Sequence, residues 1–217
     1  MPAAQTKTQG VALTLSSTVP TRTGYAFASW NTSADGSGTS YASGASYTAN
    51  ATVTLYAQWT ANTYTVTYNA NGGTSAPAAQ TKTHDVALTL SSTVPTRTGY
   101  TFAGWNTSAD GSGTSYASGA SYTANAIVTL YAKWTANTYT VTYNANGGTG
   151  APAAQTKTHD VALPLSSTVP TRTGYTFADW NTSADGSGTS YAPGASYTAN
   201  ANVTLYAQWT ETEETED

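Results

Sequence analysis

Ile127-Val-Thr-Leu-Tyr-Ala-Lys-Trp134 reads with a period of two: Val128, Leu130, Ala132 and Trp134 fall on one face, and Ile127, Thr129, Tyr131 and Lys133 on the other. Successive side chains of an extended chain point to opposite sides, whereas a helix gathers apolar residues every third or fourth position. The segment is therefore a strand with a Val-Leu-Ala-Trp core face and a solvent face. Upstream the same alternation recurs. Tyr64, Val66 and Tyr68 alternate with Thr65 and Thr67 up to the turn Asn71-Gly72-Gly73, and Val86, Leu88 and Leu90 form a second run. Tyr100 and Phe102 follow the turn Arg97-Thr98-Gly99 and lead to Trp105. After Asp110-Gly111-Ser112-Gly113 come two short segments, Thr114 to Tyr116 and Ala120 to Tyr122. β-Branched and aromatic residues dominate and no window carries a long amphipathic helix, so the chain is mainly β with little or no helix.

The unit is repeated. Trp30, Trp105 and Trp180 lie 75 residues apart, as do Trp59, Trp134 and Trp209. Copies two and three differ only at Ser75/Gly150, Thr89/Pro164, Gly104/Asp179, Ser118/Pro193, Ile127/Asn202 and Lys133/Gln208. The sequence divides into repeat one (1–59), repeat two (64–134), repeat three (139–209) and an acidic tail (210–217), with short links at 60–63 and 135–138. Repeat one starts at Pro2, the counterpart of Pro77, and lacks the stretch from Tyr64 to Gly73. It is expected to show an unpaired sheet edge, able to pair with another chain. A unit of about 70 residues has a thin core, so truncating either Trp105 or Trp134 to Ala is expected to cost about 3–5 kcal/mol.

Of the 217 residues 8% are charged and 39% hydrophobic, with six Trp, sixteen Tyr and no Cys. Low charge with many aromatics does not suit a disordered chain. Seven basic residues face six acids before residue 211, and the other five acids lie in the tail. A near-neutral body offers no electrostatic footprint for nucleic acid, and no apolar run is long enough for membrane insertion. Without cysteine there are no disulfides, thiol nucleophiles or Cys-type zinc sites.

Tyr64-Thr-Val-Thr-Tyr68, Asn71-Gly72-Gly73, Pro95-Thr-Arg-Thr-Gly-Tyr-Thr-Phe-Ala-Gly-Trp105 and Leu130-Tyr-Ala-Lys-Trp134 together resemble the Listeria-Bacteroides repeat, the family of the internalin B-repeat. The resemblance covers nearly every residue before the tail. Ser29 and Asp179 depart from it, standing where the family usually has Gly before the Trp. It implies tandem small β-grasp-like domains with a twisted mixed sheet, carried on large bacterial cell-surface proteins and adhesins. It brings no catalytic residues and no cofactor. The expected role is a non-enzymatic stalk or spacer, extracellular, within a longer exported protein. The alternative is a multivalent module binding host or matrix glycan, mucin or protein.

The candidate chemical groups are few. His84 and His159, with Gln9 at their place in repeat one, have only Asp85 or Asp160 beside them in sequence, and read as surface turn residues. Asp35, Asp110 and Asp185 each stand alone among Gly and Ser, too few oxygens for calcium, and read as turns. A Lys82–Asn isopeptide staple is not expected, because the recurring acid sits in an exposed-looking turn and Asp85 becomes Gly10 in repeat one. Tyr41, Tyr116 and Tyr191 could stack on sugars, or could extend a thin core with the hydroxyl left wet. Thr65/Thr67 and Thr81/Thr83 read as the solvent faces of strands and are too few to tile an ice lattice. No catalytic, cofactor or metal residue is assigned.

Overall fold

The computed structural model describes residues 1–212, and among them every regular element is a strand. Repeat one holds β1 (Leu13–Thr14), β2 (Tyr25–Asn31), β3 (Ser40–Tyr41), β4 (Ser46–Tyr47) and β5 (Tyr56–Ala61). Repeat two holds β6 (Thr63–Asn69), β7 (Gln80–Thr83), β8 (Leu88–Thr89), β9 (Tyr100–Asn106), β10 (Ser115–Tyr116), β11 (Ser121–Tyr122) and β12 (Val128–Ala136). Repeat three holds β13 (Thr138–Asn144), β14 (Gln155–Thr158), β15 (Leu163–Pro164), β16 (Tyr175–Asn181), β17 (Ser190–Tyr191), β18 (Ser196–Tyr197) and β19 (Val203–Glu211). The fold is mainly β, as the alternation requires. Of the acidic tail, Thr210 and Glu211 belong to β19, and 213–217 lie outside the described residues.

The described chain packs into two compact units. One comprises Met1–Asn71, Ala76–Val94 and Gly104–Ala132; the other comprises Gly72–Ser75, Pro95–Ala103 and the chain from Lys133 onward. In the second unit the sheet of repeat three has the order β14-β13-β19-β16-β17. β13 and β19, the first and last strands, are central neighbours and run parallel, with Val141 opposite Val203; the flanking pairs are antiparallel. A separate two-stranded ladder joins β15 to β18. Repeat two repeats this order as β10-β9-β12-β6-β7.

The core of repeat three forms around Trp180, which is fully buried with Val141, Leu205 and Ala207. Phe177 and Trp180 are three residues apart and would face opposite sides of a regular strand. The β16–β19 register slips between them, and this bulge turns both rings to the core side. Phe177 and Tyr143 then meet Trp180 edge-on, at 5.2 and 4.8 Å between ring centroids. The two tryptophans of a repeat are not equivalent, contrary to the sequence expectation. Trp209 is only half-buried, and its Nε1 donates to the Ala145 and Asn146 carbonyls, both at 3.0 Å.

Two strand expectations change. The run from Val86 to Leu90 is extended only at Leu88–Thr89, because Thr83 to Val86 closes a turn with Asp85 at φ 58 and leaves Val86 exposed. β7 carries Thr81 on its outer face, as the Thr81/Thr83 alternation implies, and turns Lys82 inward although Gln-Thr-Lys-Thr has no apolar face. The back of the closing strand is also not open solvent. In repeat three the Asp185 turn folds over it, with Gln208 Nε2 donating to the Ser183 carbonyl at 3.2 Å. Ile127 on the corresponding face is 76% exposed, and Asn202 in its place accepts from the Thr140 amide at 2.8 Å, which accounts for that exchange.

At the bulge, Gly104 takes φ 122, and a Cβ there would lie 3.0 Å from the Tyr116 carbonyl. Repeat three carries Asp179 at this position, with Oδ1 buried and no hydrogen-bond partner. An unsatisfied buried oxygen costs about 1–3 kcal/mol. Asp179→Gly is therefore expected to stabilise the protein by about that amount in urea unfolding; no gain would mean that the carboxylate turns out to water.

Candidate functional site

β5 ends at Ala61 and β6 begins at Thr63, so the expected four-residue link contracts to Asn62 alone. The Asn62 amide donates to the Gly24 carbonyl at 2.9 Å, and the His84 amide donates to the Asn62 carbonyl at 2.8 Å. The His84 side chain, 12% exposed, lies across repeat one at Gly24. Its ring meets Tyr25 edge-on at 5.4 Å, its Nδ1 shares a hydrogen bond with the Tyr64 hydroxyl at 3.0 Å, and its Nε2 lies 3.3 Å from an Asp85 carboxylate oxygen. Arg22 stacks 3.8 Å above the Tyr25 ring.

The second link repeats this arrangement. Asn137 donates to the Gly99 carbonyl at 2.9 Å, His159 to the Asn137 carbonyl at 2.9 Å, and the His159 ring meets Tyr100 at 5.4 Å and the Tyr139 hydroxyl at 3.0 Å. Gly24 and Gly99 have φ 77 and 76, and a Cβ on either would stand 1.9 Å from a histidine Nε2. The histidines do lie in turns, as expected, but not on the open surface: their rings are 12% and 11% exposed and sit as wedges on glycine sockets. Gly174 presents the same turn, φ 75, with nothing within 4 Å.

The buried Lys82 Nζ donates to the Thr83 carbonyl at 2.7 Å and to Asn125 Oδ1 at 2.9 Å, while Asp85 Oδ1 accepts from Asn125 Nδ2 at 2.8 Å. The sequence did not reveal that this amine and amide touch. In repeat one Lys7 Nζ and the Gly10 amide reach Asn50 Oδ1 at 3.1 and 2.9 Å with no carboxylate present, so the contact is a hydrogen-bonded staple that does not depend on the acid.

The Asp turns are organised from inside by an asparagine that sequence reading passed over. Asn106 is buried: its Nδ2 donates to the Gly111 and Gly113 carbonyls and to Ser115 Oγ, and its Oδ1 accepts from the Ser108 and Gly113 amides. Asn31 and Asn181 do the same. The available signal was the Asn directly after Trp in all three copies. Asp110 lies outside this hub. The Ser112 amide and then the Ser112 hydroxyl hold its carboxyl below the usual carboxylate range. Among the described residues no three His, Asp or Glu gather as metal ligands.

Tyr41, Tyr116 and Tyr191 are half-buried and packed edge-on against Tyr47, Tyr122 and Tyr197 at 5.6, 5.6 and 5.7 Å. The phenols of Tyr68 and Tyr143 sit over Gln80 and Gln155, and burial pushes both above the ordinary tyrosine value of 10.0. A raised folded-state value means that this contribution is fully present below pH 10.0 and is lost as pH rises through the folded-state value. Tyr143→Phe is accordingly expected to weaken the alkaline loss of repeat three, read as a shallower fall of stability above that pH. An unchanged alkaline profile would locate the titration elsewhere.

The Listeria-Bacteroides repeat domain matches residues 2–58, 64–133 and 139–208. A protein of Evansella cellulosilytica named as a Gly-rich membrane protein is 36% identical over 172 residues, covering 73% of this chain and 19% of that protein. A second Evansella cellulosilytica membrane protein is 34% identical over 164 residues, 71% of this chain and 23% of that protein. Internalin H of Listeria monocytogenes is 36% identical over 118 residues, 54% of this chain and 20% of that protein. The chain spans about a fifth of the length of these curated relatives.

Proposed function

The chain belongs to the Listeria-Bacteroides repeat domain family, and from that premise we propose that it is a non-enzymatic spacer of a bacterial cell-surface, adhesin-like protein, extracellular and part of something larger. The observation that carries this reading is the histidine wedge at each link. A binding module on a free tether has no need to lock each copy onto the one before it. A spacer does, because an unbraced link would let the next repeat swing. Each wedge replaces a four-residue tether by a single residue with both backbone groups bonded and a ring clamped between two tyrosines. The parallel pairing of first and last strands at the centre of each complete sheet supports the β-grasp-like description of the repeat.

The half-buried, edge-packed tyrosine pairs support the spacer over the glycan binder, since a sugar platform needs a ring face clear of its neighbours. Binding of the 217-residue chain to an array of glycans, mucins and matrix proteins tests the choice. The expected result is no saturable signal. Saturable binding to any class, lost when Tyr116 is replaced by Ala, would replace the spacer with the binder.

A further inference from the structure

β13 and β19 open and close repeat three: the chain enters the first at Thr138 and leaves the second at Glu211. The two strands are parallel neighbours, so entry and exit lie at opposite ends of one ladder. β13 is held along its whole length. Thr138 to Val141 pair antiparallel with β14, from Thr138↔Thr158 to Val141↔Gln155, and Val141 to Asn144 pair parallel with β19, from Val141↔Val203 to Asn144↔Tyr206. β19 is in turn paired with β16, from Asn181↔Tyr206 to Tyr175↔Glu211. Repeat two has the same register: β6 meets β12 from Val128↔Val66 to Tyr131↔Asn69 and β7 from Thr63↔Thr83 to Val66↔Gln80.

The far end of β13 is tied to β19 beyond the last ladder pair. From β19, Trp209 Nε1 donates to the Ala145 and Asn146 carbonyls at 3.0 Å each. In return Asn146 Nδ2 donates to the Ala207 carbonyl of β19 and to the Ala184 carbonyl, both at 2.9 Å. Asn146 takes φ 48 in this turn. The indole lies directly against Gly148, where a Cβ would stand 2.5 Å from a ring carbon and 2.6 Å from the Thr171 carbonyl. Trp209 stays half-buried at the rim of the core, so its burial does not account for the precision of these contacts. What they do is fix the turn after β13 to the strand beside it.

We propose that each complete repeat is a mechanical clamp that bears tension along the chain. Load that enters at Thr138 and leaves at Glu211 acts along both strands in opposite directions, and draws them past each other. Every backbone bond from Val141 to Asn144 is then strained at once, together with the Trp209 and Asn146 bonds. Load applied across the strands breaks the same bonds one after another. β13 cannot move lengthwise without also shearing its ladder to β14. Packing opposes the slide as well: a shift of one residue would turn Val141 and Tyr143 out of the core and put Thr140 and Thr142 in their place. The clamp is a property of each repeat and holds without the spacer reading; only its use under load in the cell rests on that reading.

The sequence has no cysteine, so an introduced pair supplies the sole thiols for attaching handles to the whole chain. Thr138→Cys with Glu211→Cys loads repeat three along its strands. Thr138→Cys with Ala201→Cys moves the second handle to the N-terminal side of β19 and loads the same ladder across them. All three positions are exposed. Under one constant force, the along-strand pair is expected to unfold in a single step, at least about tenfold more slowly than the across-strand pair. Trp209→Phe keeps a ring and removes the indole donor. It is expected to speed along-strand unfolding about fivefold, as the loss of one hydrogen bond would, and to leave the across-strand rate within about twofold. Equal rates for the two pairs, faster unfolding along the strands, or an equal effect of Trp209→Phe in both would overturn the proposal. Saturable ligand binding by the chain would remove the spacer reading and leave these rates as they are, so the two fail separately.

Discussion

Trp180→Ala is expected to lower the stability of repeat three by about 3–5 kcal/mol in urea unfolding. The indole is fully buried and forms the centre of the cluster of Val141, Tyr143, Leu165, Tyr197, Leu205 and Ala207. A unit this small has no second core to fall back on, and the sheet on either side cannot collapse into the space a ring leaves. Trp180→Phe should cost less than the alanine change, because it retains an aromatic ring and removes a buried N–H that has no partner. Trp209→Ala should fall below Trp180→Ala, since that ring is half-buried. A loss under about 1 kcal/mol for Trp180→Ala would mean that the repeat is not organised on this residue.

Gly99→Ala carries the other large effect, and Gly174→Ala is its internal control. Both positions have positive φ, 76 and 75, so both substitutions incur the left-handed cost of about 1 kcal/mol. Only at Gly99 does the new Cβ fall 1.9 Å from His159, while at Gly174 it meets nothing within 4 Å. The ring must therefore leave its socket, at an added cost of about 1–3 kcal/mol. Adding His159→Ala to Gly99→Ala should recover that added part, because the clash then disappears; the two changes are not additive. Equal losses at Gly99 and Gly174 would show that the histidine is not wedged.

The alternation of Val128, Leu130 and Ala132 placed the closing strand, and the spacing of tryptophans placed the three repeats, because both follow from local geometry that one chain segment carries by itself. The bulge was hidden, since a register slip between Phe177 and Trp180 is a property of two strands and not of one. The Thr81/Thr83 alternation marked β7 as extended, but what it buries was hidden, because its buried residue is a lysine bonded to Asn125, 43 residues away. The turn at His84 was legible but the burial of its ring was not, because its partners Gly24 and Tyr25 belong to the preceding repeat, at a distance no periodicity reports. What a sequence of this kind conceals is which non-adjacent residues share one volume.

The link contacts hold each repeat to the one before it. Native-state hydrogen exchange at four amides tests it most directly: Asn62 and His84 at the first link, Asn137 and His159 at the second. Each Asn amide donates back to the preceding repeat at 2.9 Å, and each His amide donates to that Asn carbonyl at 2.8 to 2.9 Å. Protection approaching that of the Val66 and Val141 amides inside the sheets is expected. Exchange of these four at open-loop rates, while Val66 and Val141 stay protected, would show independent beads on a free tether and contradict it.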